Sequence, residues 1–277
     1  MISPQREQFW AEMVLKLAAF FSLFILGFIL FYITWKGVSS ISLSFLLENP
    51  SDMGRSGGIF APIVSTFMLA FLSILISTPM GVGTSIFLTE YTNESRITRI
   101  IRFGADCLSG IPSIIFGLFG FVLFVIKLNL GWCILSGALT MSFMILPTII
   151  RTSEEAIKSV PFDLREASYS LGASKWQTIT KVVLPEAIPG IVTGVILGIG
   201  RCIGETAVVI FTAGAALNTP TSIFDSARTM AVHFYIIARE GISTQKAYAT
   251  AFVLVVLVLS INFCTYFLMH KYISKKK

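Results

Sequence analysis

The chain alternates between long apolar stretches and short polar connections. About 20 consecutive apolar residues in an α-helix suffice to cross the hydrocarbon core of a membrane. Six stretches reach that length, and they are centred near residues 17–35, 63–88, 108–126, 132–150, 188–217 and 248–269. A transmembrane β-barrel would instead require short segments of alternating polarity. The continuous apolar runs therefore predict an all-α, polytopic membrane protein with six transmembrane helices.

The first apolar run is expected to remain in the protein as a membrane anchor. Arg6 and Lys16 precede the run and give it the basic start of a signal peptide. The run is too long for the hydrophobic region of a signal peptide, and no small-x-small cleavage site follows it. We therefore interpret it as the first transmembrane helix.

The distribution of basic residues predicts the orientation of the six helices. Fourteen of the 21 Lys and Arg residues lie in the N-terminal tail, in the loops near 89–107 and 151–187, and in the C-terminal tail. Because cytoplasmic loops carry the excess of Lys and Arg in membrane proteins, both termini are expected in the cytoplasm. The predicted organisation is an N-terminal tail 1–16, a transmembrane domain 17–269 and a basic C-terminal tail 270–277.

Composition narrows the classes of function. The 277 residues are 55% hydrophobic and 13% charged, and the basic cytoplasmic segments account for the net charge of +6, so we do not infer nucleic-acid binding. The four cysteines are scattered singly, and the sequence holds no nucleotide-binding loop and no catalytic motif of a soluble hydrolase. The sequence thus indicates a protein that is not itself an enzyme, with no catalytic residue, no metal site and no cofactor.

The cytoplasmic loop 151–187 carries the pattern of two short helices joined by a glycine. A helix that follows Pro161 would place Phe162, Leu164, Ala167 and Leu171 on one face. Gly172 suits the position just past a helix end, where a positive φ is needed. Ser174 and Gln177 form a capping box that begins a second helix.

The apolar faces of these two helices require a covering surface. The second helix carries the stripe Trp176, Ile179 and Val183, and Leu184 with Pro185 is expected to end it before the fifth span. One interpretation is that both helices pack on the protein's own spans or lie in the lipid interface. The alternative is that they dock a cytoplasmic partner, and periodicity alone leaves both open.

Two charged residues interrupt the fifth apolar stretch. Arg201 lies about 20 Å along the helix from Ile188, and Glu205 follows one turn later on the same predicted face. A charge within the bilayer costs about 2.5–3.5 kcal/mol, so such residues face protein or water. Either the two charges neutralise each other, or Arg201 lines an anion pathway while Glu205 holds it and moderates its affinity. Arginine suits an anion pathway because its planar fork binds phosphate oxygens bidentately.

Glycines surround these two charges. Gly194 with Gly198 and Gly200 with Gly204 form two small-xxx-small pairs. Such pairs allow a second helix to approach closely within a membrane. Close helix packing is therefore the main expected role of these glycines, and the alternative is that they bend the span around a passing ion.

Several motifs resemble those of known transport proteins. The run Glu166-Ala167-Ser168, then Gly172, then Val182-x-Leu184-Pro185 resembles the EAA loop of ABC importer permeases. Four segments are similar to PstA-type permeases of phosphate ABC importers: "GGIFAPIVSTFMLAFLSILISTPMGVGTSIFLTEY", "GIPSIIFGLFG", "LGASKWQTITKVVLPEAIPGIVTG" and "GRCIGETA". The segment "GIGRCIGET" and the outer loop "NTPTSIFDSARTMAVHFY" carry the likeness to phosphate permeases most specifically.

The resemblance implies a type I ABC importer permease in the bacterial cytoplasmic membrane, with the helix-Gly-helix loop coupling it to an ATPase. Its implied partners are a homologous permease in a heterodimer, a dimer of cytoplasmic ATP-binding subunits, an extracytoplasmic phosphate-binding protein and membrane lipid. No nucleic acid is expected to bind. The alternatives are an ABC permease for sulfate or molybdate, a stand-alone secondary transporter and a membrane-embedded enzyme.

The same resemblance assigns expected roles to individual residues. Those expected to couple to the ATPase are Glu166, Ala167, Gly172, Leu184 and Pro185. Those expected in the substrate pathway are Arg201, Glu205 and Arg151. Without the resemblance, Arg151 would be interpreted as a topology anchor at a helix end. Arg228, in the outer loop, is a weaker candidate for contact with the binding protein.

Overall fold

The structure is a computed structural model that describes residues 4–92 and 95–274. The α-helices in these residues are α1 (Pro4–Val38), α2 (Leu43–Leu47), α3 (Phe60–Ile86), α4 (Arg96–Ser109), α5 (Ser113–Gly120), α6 (Ile134–Lys158), α7 (Phe162–Ser170), α8 (Lys175–Thr178), α9 (Leu184–Gly204), α10 (Ala207–Thr212), α11 (Met230–Arg239) and α12 (Thr244–Ser274). Segments of π-helix continue α3, α5 and α8 at Phe87–Tyr91, Phe121–Lys127 and Ile179–Val183, and a 3-10 turn covers Asp52–Gly54. The strands β1 (Pro50–Ser51) and β2 (Ser56–Gly57) form a short antiparallel pair.

Within the described residues, five helical columns are long and apolar enough to cross a membrane. They cover 8–38, 60–91, 134–158, 175–204 and 244–267. A sixth column consists of α4 and of α5 with its π-helical continuation, which meet at an angle of 103°. Pro112 lies between the two halves and disfavours helical backbone at the residue before it. The six-helix prediction is confirmed, and the third span is a bent pair.

The core of the domain forms where α3, α6 and α9 pack together. Leu69, Met144 and Ile203 are buried there among other apolar side chains. Hydroxyl groups inside this core donate to backbone carbonyls, as Ser142 Oγ does to the Ser73 carbonyl oxygen at 3.0 Å. Such bonds satisfy polar atoms without water, as the membrane interior requires, although the buried hydroxyls of Ser77 and Ser153 have no partner among the described residues.

Glycines set the spacing between these core helices. A Cβ on Gly194 would overlap the Thr152 hydroxyl of α6, and one on Gly198 would lie 3.2 Å from Ile74 Cδ1 of α3. The prediction that Gly194 and Gly198 allow close helix packing is therefore confirmed.

The N-terminal segment is helical well before the first predicted span. Helix α1 begins at Pro4, so most of the predicted tail 1–16 belongs to it. Glu12 and Lys16 form an ion pair one turn apart at 2.7 Å, a pairing that supports an exposed helix. Residues 1–3 and 275–277 of the two predicted tails lie outside the described residues.

The two predicted amphipathic helices are present as α7 and α8, and we call residues 161–183 the helical hairpin. Gly172 joins them with φ +80, and Ser174 and Gln177 form the predicted capping box. The end of the molecule that carries the helical hairpin is called the inner end below.

The exit from the helical hairpin differs from the prediction. The helix does not stop at Leu184-Pro185, because α9 begins there and continues the column from α8 through the π-helical turn Ile179–Val183. Pro185 lies in the first turn of α9. A proline lacks the N–H donor, and a local π-helical turn is one way in which a helix accommodates the missing bond.

The opposite end of the molecule contains a short helix where the sequence indicates only a loop. Helix α11 follows Thr229 and packs against the 3-10 turn, where a Cβ on Gly54 would lie 2.9 Å from His233 Cε1. With ten residues, α11 is too short to cross a membrane.

Candidate functional site

Arg201 lies near the end of α9, on a face that the rest of the described chain leaves uncovered. Leu197 is exposed one turn before it, and a Cβ on Gly200 or Gly204 would meet no atom within 4 Å. The Arg201 side chain is half-buried, and no hydrogen bond or ion pair to its guanidinium occurs among the described residues. The opposite face of the helix, with Cys202, is buried in the core. Arg201 therefore presents an unpaired positive charge on the uncovered side of α9.

Glu205 has a different role from the one predicted. Helix α9 ends at Gly204, and Glu205 has extended backbone with φ −78 and ψ 131. Its Oε1 accepts hydrogen bonds from the backbone N–H groups of Ala207 at 3.0 Å and Val208 at 3.4 Å. These bonds satisfy donors at the start of α10, as an N-terminal cap does.

The expectation that Glu205 holds Arg201 is therefore wrong. The helical repeat breaks between the two residues, so they do not share a helix face. No ion pair joins them, although the structure describes both. No second helix of the described chain approaches Gly200 and Gly204, the other small-xxx-small pair, since a Cβ at either position would meet no atom within 4 Å.

Arg151 lies within α6, two turns before the end of that helix. It forms an ion pair with Asp106 of α4, a partner that the sequence did not indicate. Both residues line a cavity of about 210 Å³ at the inner end, together with Arg102, Glu154, Glu155 and Lys158. The Glu154 carboxylate accepts from Arg102 Nε at 2.9 Å and from Lys158 Nζ at 2.7 Å. The cavity is thus lined by charges of both signs, and Arg151 is not an unpaired cation as Arg201 is.

The helical hairpin exposes most of its apolar face. Phe162 is 63% exposed, Trp176 is 60% exposed and Leu171, which follows α7, is 89% exposed. Ile179 and Val183, in the π-helical segment that follows α8, are buried. One side of the helical hairpin therefore packs on the protein's own helices. The exposed apolar surface formed by Phe162, Leu171 and Trp176, called its tip below, is not covered by the described residues.

The five residues expected to couple to an ATPase fall into two groups. Glu166, Ala167 and Gly172 are exposed on the helical hairpin, whereas Leu184 and Pro185 are half-buried at the start of α9. Leu184 packs against the buried apolar cluster around Ile157 and Val183. The EAA-type motif therefore runs from the exposed part of the helical hairpin to the first turn of α9, which is a core helix.

One charged pair beside the helical hairpin was not predicted. Arg165 of α7 is buried, and its Nη2 lies 2.9 Å from Glu90 Oε1 at the end of α3. Its Nη1 also donates to the Val160 carbonyl oxygen at 2.7 Å. Arg165 precedes the Glu-Ala-Ser run directly, but its partner lies 75 positions away, a separation that no local pattern indicates.

Arg228 does not lie on the outer surface. It is only 5% exposed, and its Nε donates to the Ala215 carbonyl oxygen at 3.0 Å. Burial lowers the pKa of Arg228, and burial together with the charges of Arg228 and Lys246 lowers the pKa of His233 to about 4. Direct contact of Arg228 with a binding protein, as predicted, is therefore not supported.

Comparison with known proteins decides the family. The family model described as "Binding-protein-dependent transport system inner membrane component" matches residues 78–276. The chain belongs to this family. It is a permease subunit of an ABC importer, and in this family ATP is hydrolysed by a separate subunit.

Two curated relatives match over most of their length. The chain is 40% identical to the "Probable ABC transporter permease protein YqgI" of Bacillus subtilis (strain 168), covering 83% of this chain and 84% of that protein. It is 36% identical to the "Phosphate transport system permease protein PstA" of Pasteurella multocida (strain Pm70), covering 89% of this chain and 88% of that protein. The resemblance to PstA-type permeases is thereby confirmed.

A solved structure of an importer shares the fold. A chain in the "Crystal structure of a bacterial ABC transporter involved in the import of the acidic polysaccharide alginate" matches with a TM-score of 0.68 and 18% identity, covering 96% of both chains. The permease architecture predicted for this protein is therefore confirmed at the level of the fold.

Proposed function

We propose that this permease imports inorganic phosphate as one half of a permease heterodimer, driven by a dimer of cytoplasmic ATPase subunits. An extracytoplasmic binding protein delivers the anion to the outer end. Closure of the ATPase dimer moves the helical hairpins, and the spans then switch the pathway from outward to inward access. Both chain termini lie on the cytoplasmic side in this arrangement.

The unpaired guanidinium of Arg201 carries the proposal. A cation within the membrane span is costly unless water, protein or an anion faces it. Arg201 has no acidic partner in the described chain, and the glycines beside it leave space on the same face. In a heterodimer this face meets the second permease, and an oxyanion passing there receives a bidentate contact.

Weak and sequential contacts suit a pathway, since an anion that is bound must also be released. Arg201 provides the contact in the span. Arg151, which Asp106 partly neutralises, provides a weaker contact at the inner cavity. Glu205 supports the pathway indirectly, because it caps the helix that follows Arg201.

The exposed tip of the helical hairpin supports docking of the ATPase. Phe162, Leu171 and Trp176 present apolar surface that nothing in the described chain covers. Exposed apolar surface of this kind is typical of an interaction site. Of the two interpretations of this segment, docking of a cytoplasmic partner is therefore favoured for its tip.

Phosphate is favoured over other oxyanions by the 36% identity to PstA and by the sequence around Arg201. Arginine chemistry alone does not separate phosphate from sulfate or molybdate, because all three offer paired oxygens.

Competition in proteoliposomes tests the proposal. The complex, isolated with its partner subunits, is supplied with labelled phosphate and with ATP on the ATPase side. We expect ATP-dependent phosphate uptake that a hundredfold excess of sulfate or molybdate leaves unchanged. Inhibition by sulfate or molybdate would assign a different oxyanion, and uptake without the ATPase would identify a secondary transporter.

A further inference from the structure

Beside its apolar packing at the base of the helical hairpin, the inner end of α3 makes two polar side-chain contacts with the hairpin. Glu90 Oε1 accepts from Arg165 Nη2 at 2.9 Å and from Arg165 Nε at 3.3 Å, so one carboxylate oxygen binds two donors of the guanidinium. On the other helix of the hairpin, Lys175 Nζ lies 5.1 Å from the ring centre of Tyr91. Two adjacent residues of α3's π-helical end therefore contact α7 and α8 respectively.

The two contacts differ in strength because they differ in burial. The side chains of Arg165 and Glu90 are 11% and 9% exposed, whereas Tyr91 and Lys175 are exposed. Loss of one partner from a buried ion pair leaves the other charge uncompensated, which is strongly unfavourable. An exposed cation–π contact contributes little. The ion pair is therefore the stronger of these two polar contacts between α3 and the helical hairpin.

Arg165 also ties the helical hairpin to α6. Its Nη1 donates to the Val160 carbonyl oxygen at 2.7 Å and its Nη2 to the Ile157 carbonyl oxygen at 3.0 Å. The chain connects α6 to the helical hairpin directly, so these bonds reinforce a covalent link. Helix α3 has no such link, since Glu90 and Arg165 are 75 positions apart. Removal of the Glu90 charge would thus break the ion pair between α3 and the helical hairpin, while the packing of α3 in the core and the bonds of Arg165 to α6 remain.

Helix α3 leads from this contact to the neighbours of Arg201. Ser73 lies about 25 Å from Glu90 along the helix axis, and its side chain contacts the Cys202 thiol. The backbone of Gly198 approaches the adjacent Ile74. A displacement of α3 at the inner end therefore reaches the helix turn that holds Arg201.

We propose that the Glu90–Arg165 ion pair is a latch that transmits movement of the helical hairpin to α3, and through α3 to the region of Arg201. The proposal rests on the proposed function, because the helical hairpin moves with an ATPase only in an assembled importer. Glu90 and Arg165 are positioning residues and touch no substrate.

The ratio of phosphate imported to ATP hydrolysed tests the latch. Glu90→Gln keeps the size of the side chain and removes its charge, and Glu90→Asp restores the charge on a shorter stem. Glu12→Gln, which breaks the exposed ion pair of α1, is the matched control. We expect Glu90→Gln to lower the ratio at least about tenfold while the ATPase still co-purifies, Glu90→Asp to recover part of it, and Glu12→Gln to match the parent protein.

Two outcomes of this assay overturn the latch. One is an unchanged ratio in Glu90→Gln. The other is a parallel loss of ATPase co-purification, transport and hydrolysis in both Glu90 variants, which would give the pair a structural role alone.

A distance measurement separates failure of the latch from failure of the proposed function. Spin labels at Phe87→Cys and Ser170→Cys, with Cys107 and Cys264 replaced by serine, report the distance between α3 and α7 in the assembled complex without any substrate. We expect one narrow distance distribution in the parent complex and a broad one after Glu90→Gln. Equal distributions contradict the latch, whichever oxyanion the importer carries.

Discussion

Arg201 is a charged residue without a charged partner in the described chain. Its two neighbours in sequence lie in different environments. Gly200 faces open space, whereas Cys202 is buried in the core. A guanidinium with this exposure keeps its five donors available to a passing oxyanion. In the proposed function, this residue supplies the positive charge that an anion pathway within a membrane requires.

His233 makes the stability of the outer end depend on pH. Burial, together with the charges of Arg228 and Lys246, lowers its pKa from 6.5 to about 4. Because the unfolded chain then binds the proton more readily than the folded one, stability is complete above pH 6.5 and falls as the pH decreases towards 4. Between pH 7.5 and 5.5 the free energy of unfolding should fall by about 1 kcal/mol from this group.

Thermal unfolding of the purified protein at pH 7.5 and 5.5 checks this prediction, with His233→Gln for comparison. The parent protein should lose more stability on acidification than the variant, whose side chain does not titrate. An equal loss in both would show that His233 does not contribute.

The sequence identified some site residues and missed others for a physical reason. Arg201 was found because a charge in an apolar run is conspicuous by itself. The ion pairs Arg151–Asp106 and Arg165–Glu90 each join helices that are far apart in sequence. No periodicity in the sequence indicates such pairs. Glu205 was misassigned because an i, i+4 relation assumes an unbroken helix.

At the scale of elements, the conformation of Gly172 determines the shape of the helical hairpin. Its φ of +80 suits glycine, and a β-branched residue there costs about 1–2 kcal/mol. Gly172→Val should therefore distort the turn between α7 and α8 and reduce both co-purification of the ATPase and phosphate uptake. Pull-down of the ATPase from detergent-solubilised membranes measures the first effect.

Gly241→Val provides a matched control for this variant. Gly241 has φ +63 and open space around its Cβ position, as Gly172 has, but it joins α11 to α12. The strain should be similar, and ATPase binding should be retained. If Gly172→Val and Gly241→Val behave alike, the helical hairpin has no special role in docking.

Elements with strong local signals were predicted well, and breaks within helices were not. The capping box of α8 and the glycine turn follow from residues within a few positions of each other. The 103° bend between α4 and α5 and the π-helical turn before Pro185 depend on how neighbouring helices satisfy the backbone, which hydropathy does not report.

At the scale of the whole molecule, several surfaces of the described chain are exposed and uncovered by its other helices. Helix α1 is exposed along most of its length, the tip of the helical hairpin is apolar, and the Arg201 face of α9 is open. Lipid, an ATPase and a second permease respectively would cover these surfaces in the proposed complex. The single chain thus has the architecture of one component of an assembly, in agreement with its family.

Phosphate uptake by the Arg201→Gln variant in the reconstituted complex tests the central claim most directly. A charge-assisted hydrogen bond contributes about 1.5–3 kcal/mol, so uptake should fall at least about tenfold while all subunits still co-purify. Arg239→Gln, which removes an exposed charge from α11, should leave uptake unchanged. Normal uptake by Arg201→Gln in an intact complex would contradict the account.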